Sequence, residues 1–214
     1  MTESRDMLRV LFTRIPAGER DDLRGKPMVA LRHAAGEALV RRFLREQGRG
    51  DNHEIRKGEK GKPYIKGVRG LYFNVSHSGE RVVAAFSGKE VGIDIERHGR
   101  VRLEIATRFF HAGEVAALLS LAGEERERAL ADYWAIKESF LKYLGTGLTR
   151  PLSTFRVETG ETGIVLHDDN TRLPLHVHRC PVDAGYSCFT CGETGSPPLA
   201  TTVEWDDLYN KEFR

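Results

Sequence analysis

The sequence predicts an α+β fold in two similar halves that meet near residue 100. Hydrophobic spacing reads as a strand, a helix and three strands, then three helices and five strands, without the regular alternation that builds a doubly wound parallel sheet. The spacing turns helical just after Arg97-His98-Gly99-Arg100, dividing the 214 residues into 1–99 and 100–214. At 40% hydrophobic and 30% charged, a chain of this length buries a sizeable core.

Leu8–Thr13 alternates as a strand. Met28–Glu46 places Leu31, Ala35, Leu39 and Phe43 at helical spacing, and the polar, basic, Gly-rich Gln47–Gly70 reads as a long loop. Leu71–Val75, Arg81–Ser87 and Val91–Glu96 read as an antiparallel meander, the last two strands joined by a tight Ser87-Gly88-Lys89-Glu90 turn. Helical spacing holds through Leu103–His111, Glu114–Leu121 and Glu124–Leu144, punctuated by Gly113 and Gly123. Strands return at Ser153–Val157, Thr162–Leu166, Leu173–Arg179, Tyr186–Cys191 and Leu199–Glu204, with Gly192–Pro198 as a turn or connection.

Thirty-three Lys and Arg against 31 Asp and Glu leave a net charge of +2, which argues against a general nucleic-acid binder. The charge is uneven. Residues 1–70 hold 17 basic and 10 acidic residues, net +7; the remaining 144 hold 16 and 21, net −5. One end suits a phosphorylated ligand and the other supplies carboxylates, although solvated helix faces produce the same asymmetry. No stretch approaches the roughly 18 apolar residues of a membrane helix, and MTESRDMLRV lacks the apolar run of a signal peptide, so a cytoplasmic protein with no membrane partner is expected.

Three cysteines, Cys180, Cys188 and Cys191, argue against a disulfide framework. With His176 and His178 they offer zinc-ligand types, but thiols three apart on a strand point to opposite faces, which argues against a zinc site. Ser76 and Ser78 lie in no nucleophile elbow, and neither a Walker loop nor a dinucleotide fingerprint is present.

Three groups of residues carry chemistry. In Val91–Glu96, strand alternation puts Ile93 and Ile95 on one face and Asp94 and Glu96 on the other, about 7 Å apart along the strand. Such a pair suits either a solvated face or a divalent cation with hard oxygen ligands. In the helix, Trp134, Glu138 and Lys142 recur every four residues, as a surface ion pair or as a further carboxylate and cation for the same site. Gly61-Lys62-Pro63 offers a fixed loop with a point charge for phosphate, and Ser76 and His77 add donors at a strand end; each is also ordinary loop chemistry.

Read together, GKPYI at Gly61–Ile65, FNVSHSG at Phe73–Gly79, VGIDIER at Val91–Arg97 and WAIKESFLK at Trp134–Lys142, continued by GTGLTRPLSTFRV at Gly145–Val157, resemble the 4′-phosphopantetheinyl transferases of the Sfp type. The resemblance implies two α+β halves related by a pseudo-twofold, with coenzyme A in the cleft between them. It implies transfer of 4′-phosphopantetheine from coenzyme A to a serine of an apo acyl or peptidyl carrier protein, the holo-[acyl-carrier-protein] synthase reaction, releasing adenosine 3′,5′-bisphosphate. By the same resemblance Asp94, Glu96 and Glu138 bind Mg²⁺, and Lys142 contacts coenzyme A phosphates as an electrostatic stabiliser. Ser76, His77 and Gly61, Lys62 and Pro63 match the nucleotide contacts, Arg32 the holder of the 3′-phosphate, and Glu114 the general base for the attacking serine. Arg24 and Lys26 remain unassigned basic candidates. A monomer is implied, since one chain supplies both halves. Two other functions share these residues: a coenzyme A-binding module without catalysis, and a Mg²⁺-dependent phosphohydrolase.

Overall fold

A computed structural model describes residues 7–16, 27–50, 53–59, 61–160 and 163–212; Arg24, Lys26 and Thr162 lie outside the described residues. In chain order, the first elements are β1 (Leu8–Arg14), α1 (Met28–Glu46), β2 (Ile55–Lys57), β3 (Pro63–Ile65), β4 (Tyr72–Ser78), β5 (Arg81–Ser87) and β6 (Val91–Arg97). There follow α2 (Leu103–Phe109), α3 (Ala112–Leu119) and α4 (Gly123–Leu144). The last are β7 (Phe155–Gly160), β8 (Gly163–Asp168), β9 (Thr171–Arg172), β10 (His176–Arg179), β11 (Tyr186–Gly192), β12 (Leu199–Thr202) and α5 (Trp205–Glu212). No helix among the described residues is long and apolar enough to cross a membrane.

Alternation along the strands builds the layers. In β5, Val82, Ala84 and Phe86 face α1, where Phe43 stacks on Phe86 with ring centroids 3.9 Å apart. Val83 and Ala85 face the other way and meet Val10, Ile93, Ile95 and Cys188 in a second core between two sheets. A third core gathers Ile136, Phe140, Phe155 and Phe189 beneath α4. The order is therefore helix, sheet, sheet, helix: α1 lies outside a sheet ordered β12-β1-β5-β4, and α4 lies outside a sheet ordered β10-β11-β6.

The α+β class is as the sequence predicts, but the expected meander stops at two strands. β4 and β5 pair antiparallel, whereas β6 leaves β5 and pairs with β11, Asp94 opposite Phe189. In exchange β12 returns to pair parallel with β1. The two sheets thus do not separate at residue 100; each takes a strand from the far side of it. Periodicity fixes which face a strand buries and leaves its neighbour open. Within the stretch read as a loop, β2 and β3 form a short hairpin, three residues each and too brief for a period to register. Leu152–Thr154 is a 3₁₀ turn preceding β7, and α5 follows β12 directly.

The backbones of α4 and β6 come together at Gly92. A Cβ there would stand 2.0 Å from the Ser139 carbonyl oxygen and 2.4 Å from the Tyr143 nitrogen, so only glycine admits the helix backbone. That approach sets Glu138 and Lys142 beside the acidic face of β6.

Candidate active site

On β6, Ile93 and Ile95 enter the core between the sheets, leaving Asp94 and Glu96 on the opposite face. Across from them, α4 carries Glu138 and Lys142 one turn apart. Lys142 Nζ donates to Asp94 Oδ1 at 2.7 Å and to Ser76 Oγ at 2.8 Å. Ser76 Oγ donates in turn to the same Asp94 oxygen at 2.7 Å. Glu96 is held one pleat further on, where its Oε1 accepts from Ser78 Oγ at 2.6 Å and from the Arg97 N–H at 2.9 Å.

The acid cluster is under-satisfied. Asp94 Oδ2 and Glu138 Oε1 are buried without a hydrogen-bond partner among the described residues. Burial pushes the Glu138 carboxyl up to about 7, with Asp94 and Glu96 adding repulsion and Lys142 opposing them.

Beside the acids lies a rim of basic residue types. Arg32, from α1, donates through Nε to the Gly79 carbonyl at 2.8 Å. His33 meets the exposed ring of His77 edge-on, centroids 6.1 Å apart. Partial desolvation holds His77 below the usual imidazole range, reinforced by Arg32, Lys142 and His33. Arg32 and Lys142 supply the fixed positive charge here, and the imidazole rings offer hydrogen-bonding nitrogens to a bound anion. Further along, Gly61 takes a left-handed φ of 77° in the β2–β3 turn. Lys62 pairs with Glu90 and donates to the Tyr143 carbonyl at 3.0 Å, tethering the hairpin to the C-terminal end of α4. A cleft of about 490 Å³ is lined by Lys62, Pro63, Tyr64, Arg69, Tyr72 and Glu90 among others.

The model of the 4′-phosphopantetheinyl transferase superfamily matches residues 90–191, the span from the start of β6 to Cys191. The 4′-phosphopantetheinyl transferase Sfp of Bacillus subtilis (strain 168) is 36% identical over 185 residues, covering 84% of this chain and 82% of the relative. The chain belongs to this superfamily. The 4′-phosphopantetheinyl transferase gsp of Aneurinibacillus migulanus is also 36% identical, over 76% of this chain and 68% of its own length. Among solved structures, the Thermotoga maritima holo-[acyl-carrier-protein] synthase aligns at 26% identity and a TM-score of 0.40, over 48% of this chain and 61% of that one. The synthase of Bacillus anthracis, solved in complex with CoA (3′,5′-ADP), aligns at 20% identity and a TM-score of 0.40, over 48% of this chain and 93% of its own.

In this transferase the residues matched to metal binding divide unevenly. Asp94 and Glu138 each present an unpartnered buried oxygen, the donor chemistry a hard divalent cation takes. Glu96 lends its charge but spends Oε1 on Ser78 and Arg97. Among the described residues no three His, Cys, Asp or Glu side chains already form a metal-holding group, and Lys142 is the cation on Asp94. Cys188 enters the core between the sheets and Cys191 the core beneath α4, as strand alternation requires.

Glu114 lies elsewhere, and the structure gives it different work from the base the resemblance implies. Its side chain is 1% exposed. Oε1 accepts from Lys137 Nζ at 2.8 Å and from the Val157 N–H at 2.7 Å, and Oε2 closes a capping box on the His111 N–H at 3.0 Å. A base must reach the hydroxyl it deprotonates; this carboxylate is sealed in and fully bonded. Its partner Lys137, fully buried, also donates to the Leu152 and Phe155 carbonyls, each at 2.9 Å, and lies over the Phe155 ring. The sequence signal for this role is a lysine on the apolar side of its helix. Lys137→Met leaves Glu114 buried and uncompensated and is expected to cost about 3–5 kcal/mol in urea unfolding, with much of the loss recovered by the double variant Glu114→Gln/Lys137→Met.

Proposed function

We propose that this transferase moves 4′-phosphopantetheine from coenzyme A to a serine of an apo acyl or peptidyl carrier protein, with Mg²⁺, as a holo-[acyl-carrier-protein] synthase. The serine oxygen forms a bond to the pantetheine-side phosphorus of the pyrophosphate. The bond from that phosphorus to the bridging oxygen breaks, adenosine 3′,5′-bisphosphate leaves with the electron pair, and the hydroxyl proton passes to solvent or a base. The observation that carries this reading is the pair of unpartnered buried oxygens on Asp94 and Glu138, set beside Lys142, Arg32 and the imidazole rings of His33 and His77.

Asp94 and Glu138, with Glu96 behind them, would hold Mg²⁺, which supplies charge neutralisation at the pyrophosphate oxygens. Lys142 adds a cation aimed at the same oxygens, and Ser76 fixes the Asp94 carboxylate that faces them. Arg32 holds the 3′-phosphate with His77 as a further nucleotide contact, and Lys62 and Pro63 line the cleft for the rest, with Gly61 in the adjoining turn. Because β6 and α4 of one chain supply the acids and Lys142, a monomer suffices. The basic rim steers an acidic carrier toward the cleft.

Incubation with coenzyme A, Mg²⁺ and a panel of apo carrier domains is expected to add about 340 Da to each accepted carrier by intact mass. Coenzyme A binding without any mass gain across the panel would make the protein a binding module. Release of bisphosphate with no carrier present would make it a phosphohydrolase.

A further inference from the structure

β6 is an edge strand whose second edge is covered in an unusual way. Its first edge pairs with β11. Along the other, the N–H groups of Ile93, Ile95 and Arg97 donate to side chains of β4: Asn74 Oδ1 at 3.1 Å, Ser76 Oγ at 3.4 Å and Ser78 Oγ at 3.2 Å. Residues two apart on a strand share a face, and N–H groups two apart share an edge, so a polar residue at every second position of β4 matches the spacing of β6. A seam of side chains thus replaces a backbone ladder at an edge that would otherwise expose unpaired groups.

Two rungs do more than satisfy amides. Ser76 Oγ donates its hydrogen bond to Asp94, and Ser78 Oγ donates its own to Glu96. Each oxygen also accepts from a cation, Ser76 from Lys142 at 2.8 Å and Ser78 from Arg100 at 3.3 Å. One donated bond and two accepted ones use the full capacity of a hydroxyl, which fixes the direction of each proton. The serines therefore present both carboxylates with the backbone beneath them in one register.

We propose that Ser78 is a positioning residue for the acid site, holding Glu96 as Ser76 holds Asp94, and that the Asn74–Ser76–Ser78 seam sets the separation of the two acids. This rests on the reading of those acids as the divalent-cation site. Ser78 touches no reacting atom and acts through Glu96.

Mn²⁺ binding to the carrier-free protein, read by electron paramagnetic resonance, tests this without turnover. Ser78→Ala is expected to weaken Mn²⁺ about 10-fold, and Ser78→Thr, which keeps the hydroxyl, to restore wild-type binding. In a Glu96→Gln background Ser78→Ala should cost nothing further, because the carboxylate it orients is gone. Should the alanine variant not fold, Ser78→Cys, which nearly keeps the volume and weakens the hydrogen bond, carries the same comparison. A wild-type protein that binds Mn²⁺ while the Ser78 variant binds within about twofold of it overturns the positioning role alone. Equal losses with and without Glu96 also overturn it, since a merely structural serine would act on both backgrounds. A wild-type protein that binds no Mn²⁺ overturns the cation-site reading itself.

Discussion

Glu138→Gln is expected to abolish transfer, by about a hundredfold or more, while raising the melting temperature in metal-free buffer at pH 8. The two effects have one cause. Glu138 lies partly buried beside Asp94 and Glu96, and its carboxyl is pushed up to about 7. The folded chain therefore holds this proton more tightly than the unfolded chain, where the ordinary value is 4.5. Stability from that proton is present in full below about 4.5 and is lost as pH rises through about 7. Glutamine keeps the shape without the charge, so the variant lacks this decline. His77, held below its usual range, titrates in the opposite sense, with stability lost as pH falls through its folded value. The difference between variant and wild type isolates Glu138. Mg²⁺ should restore the wild type at pH 8 and leave the variant where it was, since a cation that binds only the folded state stabilises in proportion to its affinity. Wild-type affinity should fall below about pH 7, because proton and metal compete for one carboxylate. A Glu138→Gln variant melting no higher than wild type at pH 8 would mean that the carboxylate is not under repulsion.

The site was legible where chemistry repeats with local period, and obscure where it depends on a distant partner. Alternation in Val91–Arg97 correctly separates Ile93 and Ile95 from Asp94 and Glu96, and a four-residue spacing puts Glu138 and Lys142 on one helix face. The α+β class followed from the same periods. What periodicity withholds is pairing: β6 with β11 rather than β5, and β12 with β1 across nearly the whole chain, are choices between edges of similar character. Burial of a charge is withheld for the same reason. Glu114 and Lys137 are 23 positions apart, and nothing local pairs them until α3, α4 and β7 close around them. The role of Ser78 is withheld likewise, since nothing local says that a second strand passes within reach of its hydroxyl.

Gly92→Ala is expected to damage both the fold and transfer severely. Its Cβ would lie 2.0 Å from the Ser139 carbonyl oxygen, 2.4 Å from the Tyr143 nitrogen and 3.0 Å from the Lys142 carbonyl carbon. All three are helix backbone, so no rotamer change relieves the overlap and α4 must move away from β6 by an ångström or more. An overpacking cost of about 3 kcal/mol or more is expected, lowering the melting temperature by roughly 6–12 °C in a domain of this size. Loss of activity should run deeper than loss of fold, because the displaced helix carries Glu138 and Lys142 away from Asp94, and displacements of about 1 Å can cost a hundredfold in rate. Gly36 offers the control: its Cβ would meet a side-chain methyl of Val75 at 2.8 Å, a neighbour able to rotate, on the face of β4 away from the acids. Gly36→Ala should therefore lose stability without the same collapse in transfer per folded molecule. If Gly92→Ala transferred as well per folded molecule as Gly36→Ala, the acids of β6 and the charges of α4 would not be working across that contact.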